Sequence, residues 1–124
     1  MIPAARRLHD LRTRLTRLHK TLLDEERGAY EAAHGAVASR PELLRLVLHH
    51  EQFAWLRTLS AMISAIDAAL DATEDAEAET DTFLRQARTL LRSGDSSPFG
   101  TKYRDALQRS PDVVMAHAAV VKLL

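Results

Sequence analysis

The sequence contains no cysteine, only four glycines and four prolines, and few aromatic residues. The absence of cysteine excludes disulfide bonds and thiolate metal sites. The scarcity of glycine and proline, in a chain rich in alanine and leucine, favours helices over strands. The longest uncharged stretch in the most apolar region runs from Thr58 to Ile66, well short of the about 20 apolar residues of a membrane-spanning helix. Together with an N-terminus that lacks the apolar segment of a signal peptide, this predicts a cytoplasmic protein that does not bind membranes.

Neither sign of charge is in excess, because the chain has 17 basic and 17 acidic residues. A balanced charge argues against a general nucleic-acid-binding surface. The charges are nevertheless unevenly placed: the charged residues within 1–20 are all basic except Asp10, and those within 67–81 are all acidic. The basic N-terminal helix therefore keeps nucleic-acid binding as a second alternative function, although no aromatic residues alternate with its arginines to stack on bases.

The first long helix is predicted from a leucine stripe. The spacing alternates between three and four residues, which is typical of a narrow apolar face on a helix from about Ala4 to His34. The stripe consists of Leu8, Leu11, Leu15, Leu18 and Leu22. Gly35 follows where a helix C-cap is expected.

A second long helix is predicted to begin at a capping box, Ser39 with Glu42, and to continue to about Asp71. Its apolar residues cover nearly the whole circumference, which is typical of a helix that is buried on all sides. The sequence therefore predicts that this second helix is the central element of the fold.

The predicted fold is all-α, a single helical-bundle domain over residues 1–124. A short connection makes the two long helices antiparallel neighbours, and about three shorter helices, the last opening at Ser110-Pro111, complete the bundle. In this hairpin Arg6 and Arg7 are expected to lie near Asp67 and Asp71, so that the two charge blocks neutralise each other.

The candidate site residues are Glu25, His50 and His117. Glu25 is predicted to continue the leucine stripe, or seam, of the first helix, and His50 is predicted on the side of the second helix that faces it. His117 is predicted on the inner, valine-rich face of the last helix. Buried polar groups must be paired, and two interpretations stay open. The three side chains form either a hydrogen-bonded group that fixes helix register or a metal site, since imidazole and carboxylate suit zinc or iron.

The stretch from His50 to Asp67, which contains His-Glu-Gln-Phe-Ala-Trp-Leu-Arg, resembles segments of uncharacterised bacterial all-helical proteins. That resemblance implies no activity. The leading hypothesis is a non-enzymatic structural or protein-interaction module, because the sequence contains no complete catalytic or metal motif. A protein partner or a second copy is expected to dock on the apolar residues 111–124. The first alternative is a metal-dependent bundle that holds a divalent ion such as Zn or Fe.

Overall fold

The computed structural model describes residues 4–72, 76–92 and 97–124, without the side chains of residues 76–78. Within these ranges all regular structure is helical, which confirms the all-α prediction. The helices are α1 (Ala4–His34), α2 (Arg40–His49), α3 (Arg57–Ala72), α4 (Ala76–Arg92), α5 (Pro98–Arg109) and α6 (Pro111–Val121), and a 3₁₀ helix (Glu51–Leu56) connects α2 to α3. Residues 73–75 of the predicted acidic block lie outside the described residues.

Helix α1 is the centre of the molecule. All five leucines of its stripe are fully buried, and the helix contacts α3, α4, α6 and the 3₁₀ helix. The prediction that the second long helix is central is therefore wrong. The buried apolar face of this 31-residue helix runs from Leu8 to Leu22, which lets several other helices pack against it at once.

The second predicted helix is interrupted at His50, so the expectation of one continuous helix is also wrong. His50 has an extended backbone (φ −82°, ψ 135°), and its Nδ1 accepts a hydrogen bond from the amide of Gln52, over 3.1 Å. An imidazole that caps a new helical turn in this way competes with continuation of the old one. Beyond the break Phe53 and Trp55 enter the core, whereas α2 contains no fully buried residue.

The predicted helix ends are confirmed where they depend on capping chemistry. Ser39 Oγ accepts the amide of Glu42 at the start of α2, and Ser110 Oγ accepts the amide of Val113 at the start of α6, each over 3.3 Å. Gly35 has φ +90° just after α1, a left-handed conformation that glycine adopts without a steric penalty.

Polar contacts join helices α1 and α3. In these contacts a residue later in α1 pairs with a residue earlier in α3. Arg12 forms an ion pair with Asp67, and His19 Nε2 lies 2.7 Å from Ser60 Oγ in a hydrogen bond. Asp67 was expected to meet an arginine nearer the N-terminus. Helix α2 packs on the 3₁₀ helix and not along α1. The residues of α3 therefore pair with residues of α1 that lie later in the sequence than expected.

One helical stretch among the described residues, Glu51–Ala72, is long and apolar enough by length and composition to cross a membrane. The sequence had predicted no such stretch, because Arg57 and Asp67 interrupt the uncharged run. In the structure Phe53, Leu59 and Ile66 of this stretch are fully buried against the rest of the chain.

Candidate functional site

Glu25 does not lie in the core. Its side chain is half-buried, and its Oε2 lies 3.8 Å from Nε of Arg109 on α5 in an ion pair. The prediction that Glu25 continues the leucine seam is wrong by one residue. The alternating spacing of the stripe averages 3.5 residues per turn, whereas a straight α-helix has 3.6. The next position that faces the core therefore lies later in the sequence than the spacing of the stripe suggests.

The residue that does continue the seam is Glu26, which is only 8% exposed. Its Oε1 accepts a hydrogen bond from the indole Nε1 of Trp55 over 2.8 Å, and its Oε2 accepts one from Nε2 of Gln52 over 3.0 Å. Both oxygens are therefore paired, as a buried carboxylate requires. The sequence signal that could have identified Glu26 is its position one full turn after Leu22.

His50 is half-buried at the junction of α2 and the 3₁₀ helix. Because Nδ1 accepts the amide of Gln52, the neutral ring carries its proton on Nε2. The ring also lies edge-on to Tyr30, with centroids 5.3 Å apart, and near His34, with centroids 6.4 Å apart. His50 therefore belongs to an aromatic cluster that surrounds the break in the second helix.

His117 is half-buried on the inner side of α6, where its Nδ1 and the hydroxyl of Tyr103 are 2.7 Å apart in a hydrogen bond. Burial lowers the pKa of His117, and the charge of Arg92 lowers it further. Burial raises the pKa of the Tyr103 hydroxyl. Both shifts favour the neutral forms, so this contact is a neutral hydrogen bond between α5 and α6.

The structure thus places Glu25, His50 and His117 in three different surroundings. Among the described residues there is no group of three or more histidines and carboxylates that could hold a metal ion. The zinc or iron site predicted on these three side chains gains no support from their placement, and it stays a prediction.

The outer face of α6 is one of two exposed apolar surfaces on the described part of the chain, and the other is formed by Leu44 and Leu48 of α2. Met115 is 71% exposed and Val114 is 44% exposed, and the helix has no formally charged residue between Asp112 and Lys122. The inner face of the same helix, with Val113 and Val120, is fully buried. Helix α6 is therefore apolar on the side that faces solvent as well as on the side that faces the core.

A groove of about 790 Å³ runs beside this face, between α1 and α6. Small residues, including Gly28 and Ala119, line it together with basic side chains such as Arg17 and acidic ones such as Glu25. Met115 also lines the groove. The groove and the outer face of α6 form one continuous surface with an apolar strip and charges of both signs.

Comparison of the chain with protein-family models, with curated proteins and with solved structures gave no match. The functional argument therefore depends on the geometry of the chain itself.

Proposed function

We propose that the protein is a non-enzymatic protein-interaction module that pairs with a second copy of itself through the outer face of α6. The observation that carries this proposal is the exposure of Met115 and Val114 on a helix without a charged residue between its ends. A helix that is apolar on all sides is normally buried on all sides, and a contiguous exposed apolar patch marks an interaction surface.

The scaffold in this proposal is an antiparallel hairpin, formed by α1 and the chain that returns through α3, with α4, α5 and α6 closing it. The Arg12–Asp67 and His19–Ser60 contacts support this arrangement, because the later residue of α1 contacts the earlier residue of α3. The scaffold holds α6 through its buried valines, so that the opposite side of α6 stays in solvent.

A second copy suits the surface because α6 is self-complementary in charge. Met115 and Ala118 are three residues apart and lie on one side of the helix. If two α6 helices pair antiparallel, with Met115 opposite Ala118, Asp112 of one copy lies next to Lys122 of the other. Each contact then occurs twice, as a twofold interface requires, and the small Ala118 allows close approach.

The mass of the protein in solution tests the proposal. Sedimentation equilibrium or light scattering is expected to show a concentration-dependent dimer. Met115→Glu places a charge on a side chain that is 71% exposed, so the fold is retained while the dimer weakens. Burial of a methionine side chain stabilises by about 1.5–3 kcal/mol, and a twofold interface buries Met115 of both copies. We therefore expect the dissociation constant to rise by about a hundredfold to ten-thousandfold.

Leu48→Glu is the matched control, because Leu48 is 53% exposed on a different helix, α2. This variant is expected to dimerise like the unchanged protein. A chain that stays monomeric at all concentrations would contradict pairing with a second copy, and an equal loss of dimer in both variants would contradict the assignment to α6.

Charge exchange tests the antiparallel geometry separately. Asp112→Lys and Lys122→Asp are each expected to weaken the dimer, because each sets like charges against each other at both ends of the interface. The double variant restores opposite charges and is expected to recover most of the affinity. A double variant as weak as the sum of the single changes would exclude this arrangement, while leaving α6 as the docking surface.

A further inference from the structure

A second cavity lies on another part of the molecule, between the 3₁₀ helix, the start of α3, the end of α4 and the start of α5. Its volume is about 1060 Å³, just above the range of about 300–1,000 Å³ found for pockets that hold small organic ligands. Its apolar lining consists of Ala54, Trp55, Leu90, Pro98 and Phe99. The groove beside α6 is lined by a different set of residues, so this cavity is independent of the proposed pairing.

The aromatic wall of the cavity is held in place from behind. The indole of Trp55 is fixed by its hydrogen bond to Glu26, and its ring centroid lies 5.6 Å from that of Phe99. Phe99 in turn stacks on Tyr103, with centroids 5.3 Å apart and ring planes at 17°. Because these rings are packed and mostly buried, the wall exists before a ligand arrives, which reduces the entropic cost of binding.

The polar lining carries charges of both signs. Among the described residues that line the cavity, Lys102 is the only lysine or arginine, and Glu51 is the only acidic residue. Neither takes part in an ion pair within the described residues, and both side chains are exposed. Gln52 and His50 also line the cavity, and His50 carries a donor at Nε2 when the ring is neutral.

We infer that this cavity binds a small zwitterion with an aromatic side chain, the chemistry shared by free aromatic amino acids and by short peptides that contain them. The ring packs against Trp55 and Phe99, the carboxylate meets Lys102, and the ammonium group meets Glu51. A purely apolar ligand would use the wall alone, and an organic acid or amine would use only one of the two charges.

The tryptophan makes this inference measurable, because Trp55 is the only tryptophan in the chain. Its fluorescence, excited where phenylalanine does not absorb, and its single indole N–H resonance both report on the cavity wall. L-phenylalanine is titrated beside phenethylamine, which lacks the carboxylate, and 3-phenylpropionate, which lacks the ammonium group. We expect saturable one-site binding, tightest for L-phenylalanine. A fourth titration, with phenylalanyl-phenylalanine, separates a free amino acid from a short peptide.

Two variants assign the charges. Lys102→Gln is expected to weaken L-phenylalanine and 3-phenylpropionate by about two- to fivefold, the size expected for exposed ion pairs, and to leave phenethylamine unchanged. Glu51→Gln is expected to weaken L-phenylalanine and phenethylamine and to leave 3-phenylpropionate unchanged. Neither residue contributes to the core, so both variants are expected to fold.

Steric blocking identifies the place of binding. Thr58→Phe puts a ring at the mouth of the cavity and is expected to abolish binding, whereas Ser64→Phe, at another exposed position of α3, is expected to have no effect. The inference is overturned if none of the four compounds gives a saturable change. It is also overturned if Thr58→Phe binds like Ser64→Phe, or if binding is indifferent to both charge variants.

Discussion

The indole N–H of Trp55 donates a hydrogen bond to Oε1 of Glu26 over 2.8 Å, and so links the 3₁₀ helix to the middle of the fold. Trp55→Phe keeps most of the apolar ring but leaves that carboxylate oxygen without its partner. An unsatisfied buried acceptor costs about 1–3 kcal/mol, so the free energy of unfolding is expected to fall by that amount. Urea unfolding followed by circular dichroism measures it.

A double variant separates the lost hydrogen bond from lost packing. Replacing Glu26 with Leu in the Trp55→Phe background removes the unpaired acceptor, so the double variant is expected to cost less than the two single changes added together. Strict additivity would mean that the Trp55–Glu26 contact contributes no coupling.

Stability is expected to fall as the pH drops below the normal range of histidine. Burial lowers the pKa of His19 from its usual 6.5, and His117 is shifted in the same direction. The unfolded chain therefore binds protons more readily than the folded one. The stabilisation from the neutral histidines is complete above pH 6.5. It is lost as the pH falls through the lowered pKa values of these histidines in the folded protein.

The contribution of His19 is measured from urea midpoints at pH 7.5 and pH 5. His19→Gln removes the titration and leaves an amide that can still reach Ser60, so the difference between the two midpoints is expected to shrink. His9→Gln, at an exposed position of the same helix, is the control and is expected to keep the full difference. An unchanged difference in His19→Gln would show that other groups cause the acid sensitivity.

The leucine stripe is expected to dominate stability. Leu15 is 0% exposed at the centre of the molecule, and truncation of such a side chain leaves a cavity that costs about 2–5 kcal/mol. Leu15→Ala is therefore expected to lower the urea midpoint strongly. Leu48→Ala, at a residue that is 53% exposed, is expected to stay within about 0.5 kcal/mol. Similar costs at both positions would contradict the central place of α1.

Helix α2 is expected to open more easily than α1. It contains no fully buried residue and packs mainly on the 3₁₀ helix, so few apolar contacts must break before its amides reach water. Native-state hydrogen exchange is expected to give lower protection for Leu44 to Leu48 than for Leu11 to Leu18. Equal protection would show that α2 opens only when the whole molecule unfolds.

Local chemistry in the sequence predicted local structure well. The capping serine Ser39, the serine-proline start at Ser110 and the left-handed Gly35 each depend on interactions within a few residues, and all three predictions are confirmed. The leucine stripe also predicted the buried face of α1, since periodic apolar spacing reports directly on which side of a helix is buried.

The errors concern features that local spacing does not determine. The predicted second helix was continued across residues 49–52, although these four consecutive polar residues interrupt the apolar sequence at the break. The break itself depends on a ring nitrogen of His50 that captures the amide of Gln52. The choice between Glu25 and Glu26 depends on the small difference between 3.5 and 3.6 residues per turn, accumulated along the stripe. For His117, the half-buried position agrees with the buried Val113, but Val114, which was expected on the same inner face, is exposed. Its partner Tyr103 lies on another helix and carries no sequence signal.

The polar contacts along one edge of α1 follow each other every seven residues, at Arg12, His19 and Glu26. Leucines at the same interval would tolerate a slip of α3 by two turns, because each would simply replace its neighbour. The three polar side chains would not, since a guanidinium, an imidazole and a carboxylate each need a different counterpart. A shifted pairing would bring Asp67 to His19 and leave the buried Glu26 without its present partners, so a single alignment of the two helices is energetically favoured over its otherwise equivalent alternatives.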